Sequence, residues 1–286
     1  MKSVAPLVWV ASYPKSGNTW VRNFLYRYIW GEPQTNIGGR SFAIERLLKT
    51  AKVDGVDVSE HLRSEHDQAV GSIWPADVQE RVTVKTHYEW TDSHPLGDLA
   101  ARAVLIVRDP KDVMISAFNY RALRNPNYPE DPTEYARAFI NSQGDSRYLK
   151  HGYGTWESHP SSWITQANVG IPVLIVGYRS LLETAEESFS AIAKFVFDEV
   201  DDARLTGALA GSSFENLQKR EIERLEKRGK SSDRLFFNSG RSGQSISEAL
   251  GVEIDDEFDA AFVEPQTRLQ NAITSSSSVI SAGTDL

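Results

Sequence analysis

Four short strand-like runs, separated by longer helical patterns, constrain the fold of this chain more than any other feature. The runs cover residues 7–11, 81–85, 103–107 and 173–176. The last two are apolar throughout, as is typical of strands buried on both faces of a sheet. Strands that alternate with helices form parallel βαβ units. The sequence therefore predicts a three-layer α/β fold, with a central parallel sheet flanked by helices.

The segments between and after these runs predict helices and surface connections. Two stretches rich in loop-forming or bulky residues, 124–132 and 144–163, are predicted as surface connections that shape a binding site. One domain is expected over residues 1–273, followed by a disordered serine-rich tail over 274–286. The helical patterns cover residues 19–29, 42–51, 111–123, 132–141, 181–195 and 213–227.

Charge and cysteine content limit the partners and the chemistry. The chain has 31 Lys and Arg against 39 Asp and Glu, a net charge of −8. Binding to nucleic acid requires the opposite balance, so we expect no nucleic-acid partner and only a local basic site for anions. The absence of cysteine excludes disulfides, thiolate nucleophiles and cysteine-bound zinc. No apolar run reaches the roughly 20 residues of a membrane span, and no signal peptide is evident, so we expect a cytoplasmic protein.

The loop after the first strand predicts an anion site. A lysine and a glycine lie between the strand and a helix that begins near Trp20. This arrangement directs main-chain N–H groups and the positive end of the helix at an anion. Lys15 precedes Gly17 by two positions, so the loop lacks the GxxxxGK[ST] pattern of nucleotide kinases. Taken alone, the loop is also compatible with an ordinary capped helix start.

A second anion site is predicted where the run 103–107 ends at Arg108. Asp109 is placed as a helix N-cap, Pro110 as the first helical residue and Asp112 as a capping-box partner, so neither aspartate is assigned to a metal. A guanidinium followed by the hydroxyl of Ser116 suits a phosphate group. A surface ion pair remains the alternative for this arginine when it is considered alone.

A third group of interest is His87, which ends a Lys-Thr-His triplet at the carboxyl end of a strand. Open α/β sheets bind ligands at this edge, where Lys15, Arg108 and Tyr178 also emerge. Histidine titrates near neutrality and is suited to accept a proton at working pH. The sequence has no HExxH motif, and the acidic run 253–259 lacks calcium-loop spacing, so we expect no metal.

The octet YPKSGNTW at residues 13–20 resembles the phosphosulfate-binding loop YPKSGTTW of sulfotransferases that use 3′-phosphoadenosine 5′-phosphosulfate (PAPS). The segment that begins at Arg108 resembles the 3′-phosphate motif of the same family, and the Lys-Thr-His triplet matches its catalytic segment. The chain is therefore identified as a member of this family, of the cytosolic type and with a bacterial source expected. The matches extend over residues 8–245, and they imply a P-loop-like phosphosulfate loop.

The resemblance also implies roles for individual residues. His87 corresponds to the general base, Lys15 to the residue at the bridging oxygen and Lys85 to the residue at the sulfuryl oxygens. PAPS is the implied co-substrate, without a metal. The implied nucleotide-binding residues are Lys15, Ser16, Gly17, Asn18, Thr19, Trp20, Arg108, Ser116, Tyr178, Ser212, Phe214, Gly240 and Arg241.

The late segment departs from the family pattern. Residues 236–243 read FFNSGRSG and resemble the FFRKGxxGDW segment that closes over the 3′-phosphate. Asn238 and Ser239 replace the Arg-Lys pair of that segment. We therefore predict that Arg241 restores one positive charge at the 3′-phosphate, with a solvated loop residue as the alternative.

The implied function is sulfuryl transfer from PAPS to a hydroxyl or amine of a small-molecule or natural-product acceptor. Two alternatives remain: a P-loop-type kinase, and a nucleotide-binding module without catalysis. A homodimer is compatible with the sequence, which leaves the oligomeric state open. The acceptor is not identified, and six residues are candidates either for its pocket or for packing: Trp74, Trp90, His94, Trp156, His159 and Trp163.

Overall fold

A computed structural model describes residues 7–31, 42–43, 82–92, 94, 97, 100–125, 131–231, 235–238 and 240–283. Six parallel strands form one sheet in the order β2-β3-β1-β4-β5-β6. Across the residues described, no helix is long and apolar enough to span a membrane. The strands are β1 (Leu7–Ser12), β2 (Phe42–Ala43), β3 (Val82–Thr86), β4 (Ala100–Val107), β5 (Val173–Gly177) and β6 (Val279–Ala282).

The helices follow the strands along the chain and cover both faces of the sheet. They are α1 (Asn18–Trp30), α2 (Pro110–Arg124), α3 (Pro132–Asn141), α4 (Ser146–Lys150), α5 (Ser158–Val169), α6 (Tyr178–Glu183), α7 (Ala185–Phe197), α8 (Asp202–Ser212), α9 (Phe214–Glu226), α10 (Ser247–Leu250) and α11 (Val252–Ser275).

Strand β1 lies at the centre of the sheet and contributes to two hydrophobic cores. Trp9 pairs with Val84 of β3 and with Ala103 of β4. Trp9 packs on the face covered by α2, α3, α5 and α11, whereas Val8 and Val10 pack on the face covered by α1 and α6–α9. Successive residues of a strand point to opposite faces, so a strand covered on both sides is apolar at every position. The predicted three-layer fold is confirmed.

The predicted strands are confirmed with small shifts at their ends, whereas two helix predictions need correction. Phe42 and Ala43, predicted to begin a helix, form strand β2, and residues 44–51 lie outside the described part. The helix predicted over 181–195 is two helices, because Thr184, with φ of −129° and ψ of 53°, departs from helical geometry and separates α6 from α7. Apolar periodicity continues through this break and does not reveal it.

The segment 144–163 is not a surface connection as predicted. Trp156, His159 and Trp163 are at most 2% exposed, and helix α5 begins within the segment. Trp156 and Trp163 contribute to a hydrophobic core, whereas Tyr148, His151 and Tyr153 of the same segment line the cavity described below.

The tail prediction is also wrong for residues that the structure describes. Val279–Ala282 pairs with β5 as the last strand of the sheet. Val279 and Ile280, which follow the serine run, belong to this edge strand. The serine-rich composition of the tail did not indicate a strand here. That residues 1–273 form a single domain stays a prediction.

Candidate functional site

A cavity of about 430 Å³ opens at the carboxyl ends of β1, β3, β4 and β5. This is the edge at which open α/β sheets bind ligands. Among the residues described, the Lys and Arg side chains that line the cavity are Lys15, Arg22, Lys85 and Arg108, and the one lining carboxylate is Asp112. The cavity is thus a local basic site in a chain with a net charge of −8.

The loop between β1 and α1 forms one wall of the cavity. Gly17 has a φ of 107°, and a Cβ there would lie 2.7 Å from the ring of Tyr178, so the position requires glycine. The side-chain amide of Asn18 donates to the carbonyl of Val10 at 2.9 Å and fastens the loop to its strand. Lys15 has a φ of 75°, which is uncommon for a residue with a side chain.

The ammonium group of Lys15 lies between two aromatic rings. Its Nζ is 4.3 Å from the ring centroid of Tyr120 and 4.1 Å from that of Phe236. Burial and, as a smaller cause, the charge of Arg108 lower the pKa of Lys15 to about 7, and the charge of Glu221 opposes this shift. A nearby anion stabilises a protonated amine, so an anionic ligand in the cavity would raise this pKa.

Arg108 connects the first loop to the loop of residues 235–245. Its Nη1 donates to the carbonyl of Lys15 at 3.0 Å, and its Nη2 donates to the carbonyl of Arg241 at 3.1 Å. Its guanidinium carbon lies 3.9 Å from the ring centroid of Tyr178. The guanidinium is therefore held in a fixed orientation at the cavity wall.

Two buried carboxylates, Glu221 and Asp112, hold the 235–245 loop by its main chain. Asp109 caps helix α2 as predicted, whereas the Asp112 carboxylate contacts this loop. Each of the two buried carboxylates accepts two main-chain N–H groups, one pair near each end of the loop. The donors, at 2.8–3.2 Å, are Phe236, Phe237, Gly243 and Gln244.

His87 lines the cavity just beyond the end of β3. Its Nδ1 lies 2.7 Å from the carbonyl oxygen of Ser12, which can only accept a hydrogen bond. Nδ1 therefore carries the ring proton, and Nε2 is the basic nitrogen. Burial lowers the pKa of His87 well below its ordinary value, and the charge of Lys85 lowers it further. The ring is neutral at neutral pH.

Three aromatic rings form another part of the wall. Trp20 lies edge-on to Tyr178 and Phe214, with ring centroids 6.0 and 6.3 Å apart. The indole Nε1 of Trp20 donates to the carbonyl of Ser212 at 2.7 Å, which fixes the orientation of the indole. Rigid aromatic faces of this kind suit a flat heterocyclic ring.

Most of the predicted site residues meet at this cavity. Ser16 is buried and lies outside the lining, Ser212 contributes its carbonyl to Trp20, and Arg241 is exposed and contributes its carbonyl to Arg108. Their predicted roles stay predictions. The predicted residues that line the cavity are Lys15, Gly17, Asn18, Thr19, Trp20, Lys85, His87, Arg108, Ser116, Tyr178, Phe214 and Gly240.

The candidate acceptor aromatics belong instead to packing. Trp90 stacks on His94 at 4.6 Å, and Trp9 lies edge-on to His94. Trp74 lies outside the described residues. The other candidates, which also do not line the cavity, are Trp156, His159 and Trp163.

Several lining residues were missed by sequence reasoning. Arg22 lies three positions after Thr19, and Asn119 lies three positions after Ser116. Residues three apart share a helix face, so the helical spacing could have predicted both. Three others lie in the segment 144–163, which was predicted to shape a binding site although none of the three was named as a site residue. They are Tyr148, His151 and Tyr153.

Comparisons with known proteins identify the family of this chain. The sulfotransferase domain family matches residues 5–270. Mouse sulfotransferase 4A1 is 24% identical over 203 residues, which are 69% of this chain and 62% of that protein. Luciferin sulfotransferase of Photinus pyralis is 23% identical over 270 residues, covering 87% of this chain and 69% of that protein. The chain thus matches less than two thirds of the length of its mouse relative.

Solved structures share the fold. Mouse sulfotransferase SULT7A1 complexed with PAP has a TM-score of 0.63 at 22% identity, covering 93% of this chain and 86% of that chain. Retinol dehydratase in complex with androsterone and the inactive cofactor PAP has a TM-score of 0.58 at 18% identity, covering 95% and 81%.

The parallel sheet and the cavity at its carboxyl edge define an α/β protein with a basic cavity suited to an anionic ligand. Within that class, the chain belongs to the sulfotransferase family. The relatives named above are animal proteins, and a bacterial source stays a prediction.

Proposed function

We propose that this protein transfers a sulfuryl group from PAPS to a hydroxyl or amine of a small-molecule acceptor. The observation that carries the proposal is the convergence of three groups on one cavity: Lys15 on the first loop, Arg108 at the end of β4 and the neutral base His87. A bisphosphorylated nucleotide with a reactive sulfuryl group requires two anion sites and a base near one of them. The cavity offers this combination.

The residues suit an in-line displacement. Nε2 of His87 takes the proton of the acceptor hydroxyl, and the acceptor oxygen forms a bond to sulfur. The bond between sulfur and the bridging phosphate oxygen breaks, and adenosine 3′,5′-bisphosphate (PAP) leaves with the electron pair of that bond. The products are the sulfated acceptor, the bisphosphate and a proton on His87.

Lys15 and Lys85 provide the positive charge that this step needs. Negative charge grows on the bridging oxygen as the bond to sulfur breaks, and a fixed cation there stabilises the transition state more than the ground state. We assign Lys15 to the bridging oxygen and Lys85 to the sulfuryl oxygens. Arg108 and Ser116 are assigned to the 3′-phosphate, and Trp20, Tyr178 and Phe214 to the adenine.

The acceptor side of the cavity lies beside His87. The ring centroid of Tyr153 is 5.7 Å from that of His87, and it is also 5.7 Å from that of His151. Tyr148 completes this part of the lining. The androsterone complex of retinol dehydratase and the name of luciferin sulfotransferase support a small organic molecule as the acceptor.

A screen of hydroxylated and aminated small molecules tests the proposal directly. Incubation with PAPS and the purified protein should give a product heavier by one sulfuryl group, detected by mass spectrometry. The same incubation with His87→Ala should give far less product. The absence of product from a broad screen, together with no PAP binding, would refute the proposal.

Two other functions remain as alternatives that experiments can separate. A P-loop-type kinase should bind ATP in preference to PAP in calorimetry and should lose activity in EDTA. A nucleotide-binding module without catalysis should bind PAP and give no product with any acceptor. Sulfuryl transfer by the residues assigned above should survive EDTA.

A further inference from the structure

Beneath the cavity, a buried turn contacts the first anion loop through Tyr13. The hydroxyl of Tyr13 accepts a hydrogen bond from the main-chain N–H of Asp145 at 2.9 Å, and a Cβ on Gly144 would collide with that hydroxyl. The Asp145 carboxylate is itself fixed by Arg121 at 2.9 Å and by the hydroxyl of Tyr135 at 3.0 Å. The turn is therefore a rigid support for the loop.

The same turn contacts the second anion site through Trp156. The main-chain N–H of Trp156 donates to the carbonyl of Gln143 at 2.8 Å, and the indole Nε1 donates to the carbonyl of Arg108 at 2.8 Å. Trp156 is 2% exposed and does not line the cavity. Its indole thus holds the main chain of Arg108 from outside the cavity lining.

These contacts close a ring. Arg108 donates to the carbonyl of Lys15 at 3.0 Å, and Lys15 lies two residues after Tyr13. The ring passes from Tyr13 through the turn 143–145 to Trp156, then to Arg108 and back to the first loop. We name Tyr13, the turn 143–145 and Trp156 the brace.

We propose that Tyr13 and Trp156 are positioning residues whose brace sets the distance between the Lys15 loop and Arg108. This inference rests on the proposed function, because it concerns a nucleotide that carries an anion at each end. Such a ligand gains from its second contact only when both sites lie at the correct separation, so an error in spacing reduces the combined affinity. A ligand with a single phosphate engages one site and does not depend on the separation.

Calorimetry with three nucleotides tests this dependence. The ligands are PAP, adenosine 5′-phosphate and adenosine 3′-phosphate. Tyr13→Phe removes one hydroxyl, and Trp156→Phe removes the indole donor. Each variant should bind PAP about tenfold or more weakly, whereas each monophosphate should lose less than about threefold. A general loss of folding would lower all three affinities together.

Matched controls exist for both variants. Tyr135→Phe removes a hydroxyl from the Asp145 carboxylate, which Arg121 still holds, and leaves the hydrogen bond between Tyr13 and the turn in place. Trp163→Phe removes a buried indole whose Nε1 donates to the carbonyl of Tyr88 at 3.1 Å and not to Arg108 or the first loop. Both control variants should bind the three nucleotides like the parent. Circular dichroism shows which variants fold, and Tyr13→Phe tests the proposal if Trp156→Phe does not fold.

Parent and control measurements separate the two proposals. Proportional losses for all three ligands, or parental affinity for PAP in both brace variants, would overturn the positioning role while leaving the proposed function intact. Failure of the parent to bind PAP would overturn the proposed function and this inference with it.

Discussion

The Nδ1 atom of His87 lies 2.7 Å from the main-chain carbonyl oxygen of Ser12. A histidine that acts as a general base must present an unprotonated ring nitrogen to the acceptor. Because Nδ1 donates its proton to the carbonyl of Ser12, that nitrogen is Nε2. Because the partner is a main-chain atom on the neighbouring strand, no side-chain substitution at Ser12 removes it. The tautomer of the base is thus set by strands β1 and β3 themselves.

The first prediction concerns this base. His87→Ala should lower turnover by about 10²–10⁴-fold, the usual range for loss of a general base, because no other group then takes the acceptor proton. PAP affinity, measured by calorimetry, should remain close to that of the parent. Turnover near the parental value would remove His87 from the mechanism.

Lys15→Ala should reduce turnover more than it reduces PAP affinity. The oxygen that bridges sulfur and phosphorus stays on PAP as a terminal phosphate oxygen, so loss of the ammonium costs PAP one contact. Turnover also loses the stabilisation of the negative charge that grows on this oxygen as its bond to sulfur breaks. Steady-state kinetics and calorimetry on the same preparation compare the two losses. Equal losses would make Lys15 a binding residue only.

The pH dependence follows from the lowered pKa of Lys15. With a pKa of about 7 in the ligand-free protein, Lys15 loses its proton as the pH rises through neutrality. The value of kcat/KM for PAPS should decline above about pH 7, because this quantity reports on the free enzyme. The value of kcat should decline only at a higher pH, because a bound anion favours the ammonium form of Lys15. The Lys15→Arg variant keeps its positive charge over this pH range. If kcat/KM still declines above about pH 7 in this variant, the decline belongs to the titration of another group.

Arg241→Ala tests the sequence-based interpretation of the 235–245 loop. The carbonyl of Arg241 accepts a hydrogen bond from Arg108, and the Arg241 side chain is exposed, which favours the alternative of a solvated loop residue. The variant should then bind PAP within about twofold of the parent. A loss of about tenfold or more that is absent for adenosine 5′-phosphate would instead support a contact between the guanidinium and the 3′-phosphate.

Acid should destabilise the fold through His159. Its ring is 0% exposed, and neither ring nitrogen has a hydrogen-bond partner among the described residues. Burial lowers its pKa to about 3, with the nearby His94 as a smaller cause. Below about pH 6.5, His159 therefore binds a proton in the unfolded chain but not in the folded chain. The free energy of unfolding decreases as the pH falls, and this residue contributes at most about 1.4 kcal/mol per pH unit.

Urea unfolding between pH 7.5 and 5 measures this effect. His159→Phe should show a shallower decrease in the free energy of unfolding over that range. The control is His151→Phe, which replaces an exposed histidine. A slope for His159→Phe equal to the parental slope would contradict the prediction.

The sheet was predictable because its strands carry a strong local signal. The runs at 103–107 and 173–176 are apolar at every position, and the structure buries them on both faces. Strand β2 has two residues and strand β6 four, and each completes an edge through pairing with a neighbour. Such strands depend on tertiary context more than on their own composition, so the sequence does not reveal them.

The site was predictable where its residues lie close together in sequence. The first loop and the start of α2 are continuous motifs, and nearly all their named side chains line the cavity. The cation–π contacts of Lys15 bring together residues from the first loop, α2 and the 235–245 loop. Tyr153 likewise reaches His87 from 66 positions away in the chain. Contacts between distant segments arise only in the folded protein.

The way in which Glu221 and Asp112 hold the 235–245 loop leaves the side chains of that loop free to vary. Both carboxylates bind main-chain N–H groups, which every residue except proline supplies. The loop can therefore exchange its side chains without losing its anchorage, and the replacement of the family's Arg-Lys pair by Asn238 and Ser239 is a change of that kind. Nucleotide preference can drift at these positions while the architecture is preserved, which makes the loop a suitable place for engineering a different specificity.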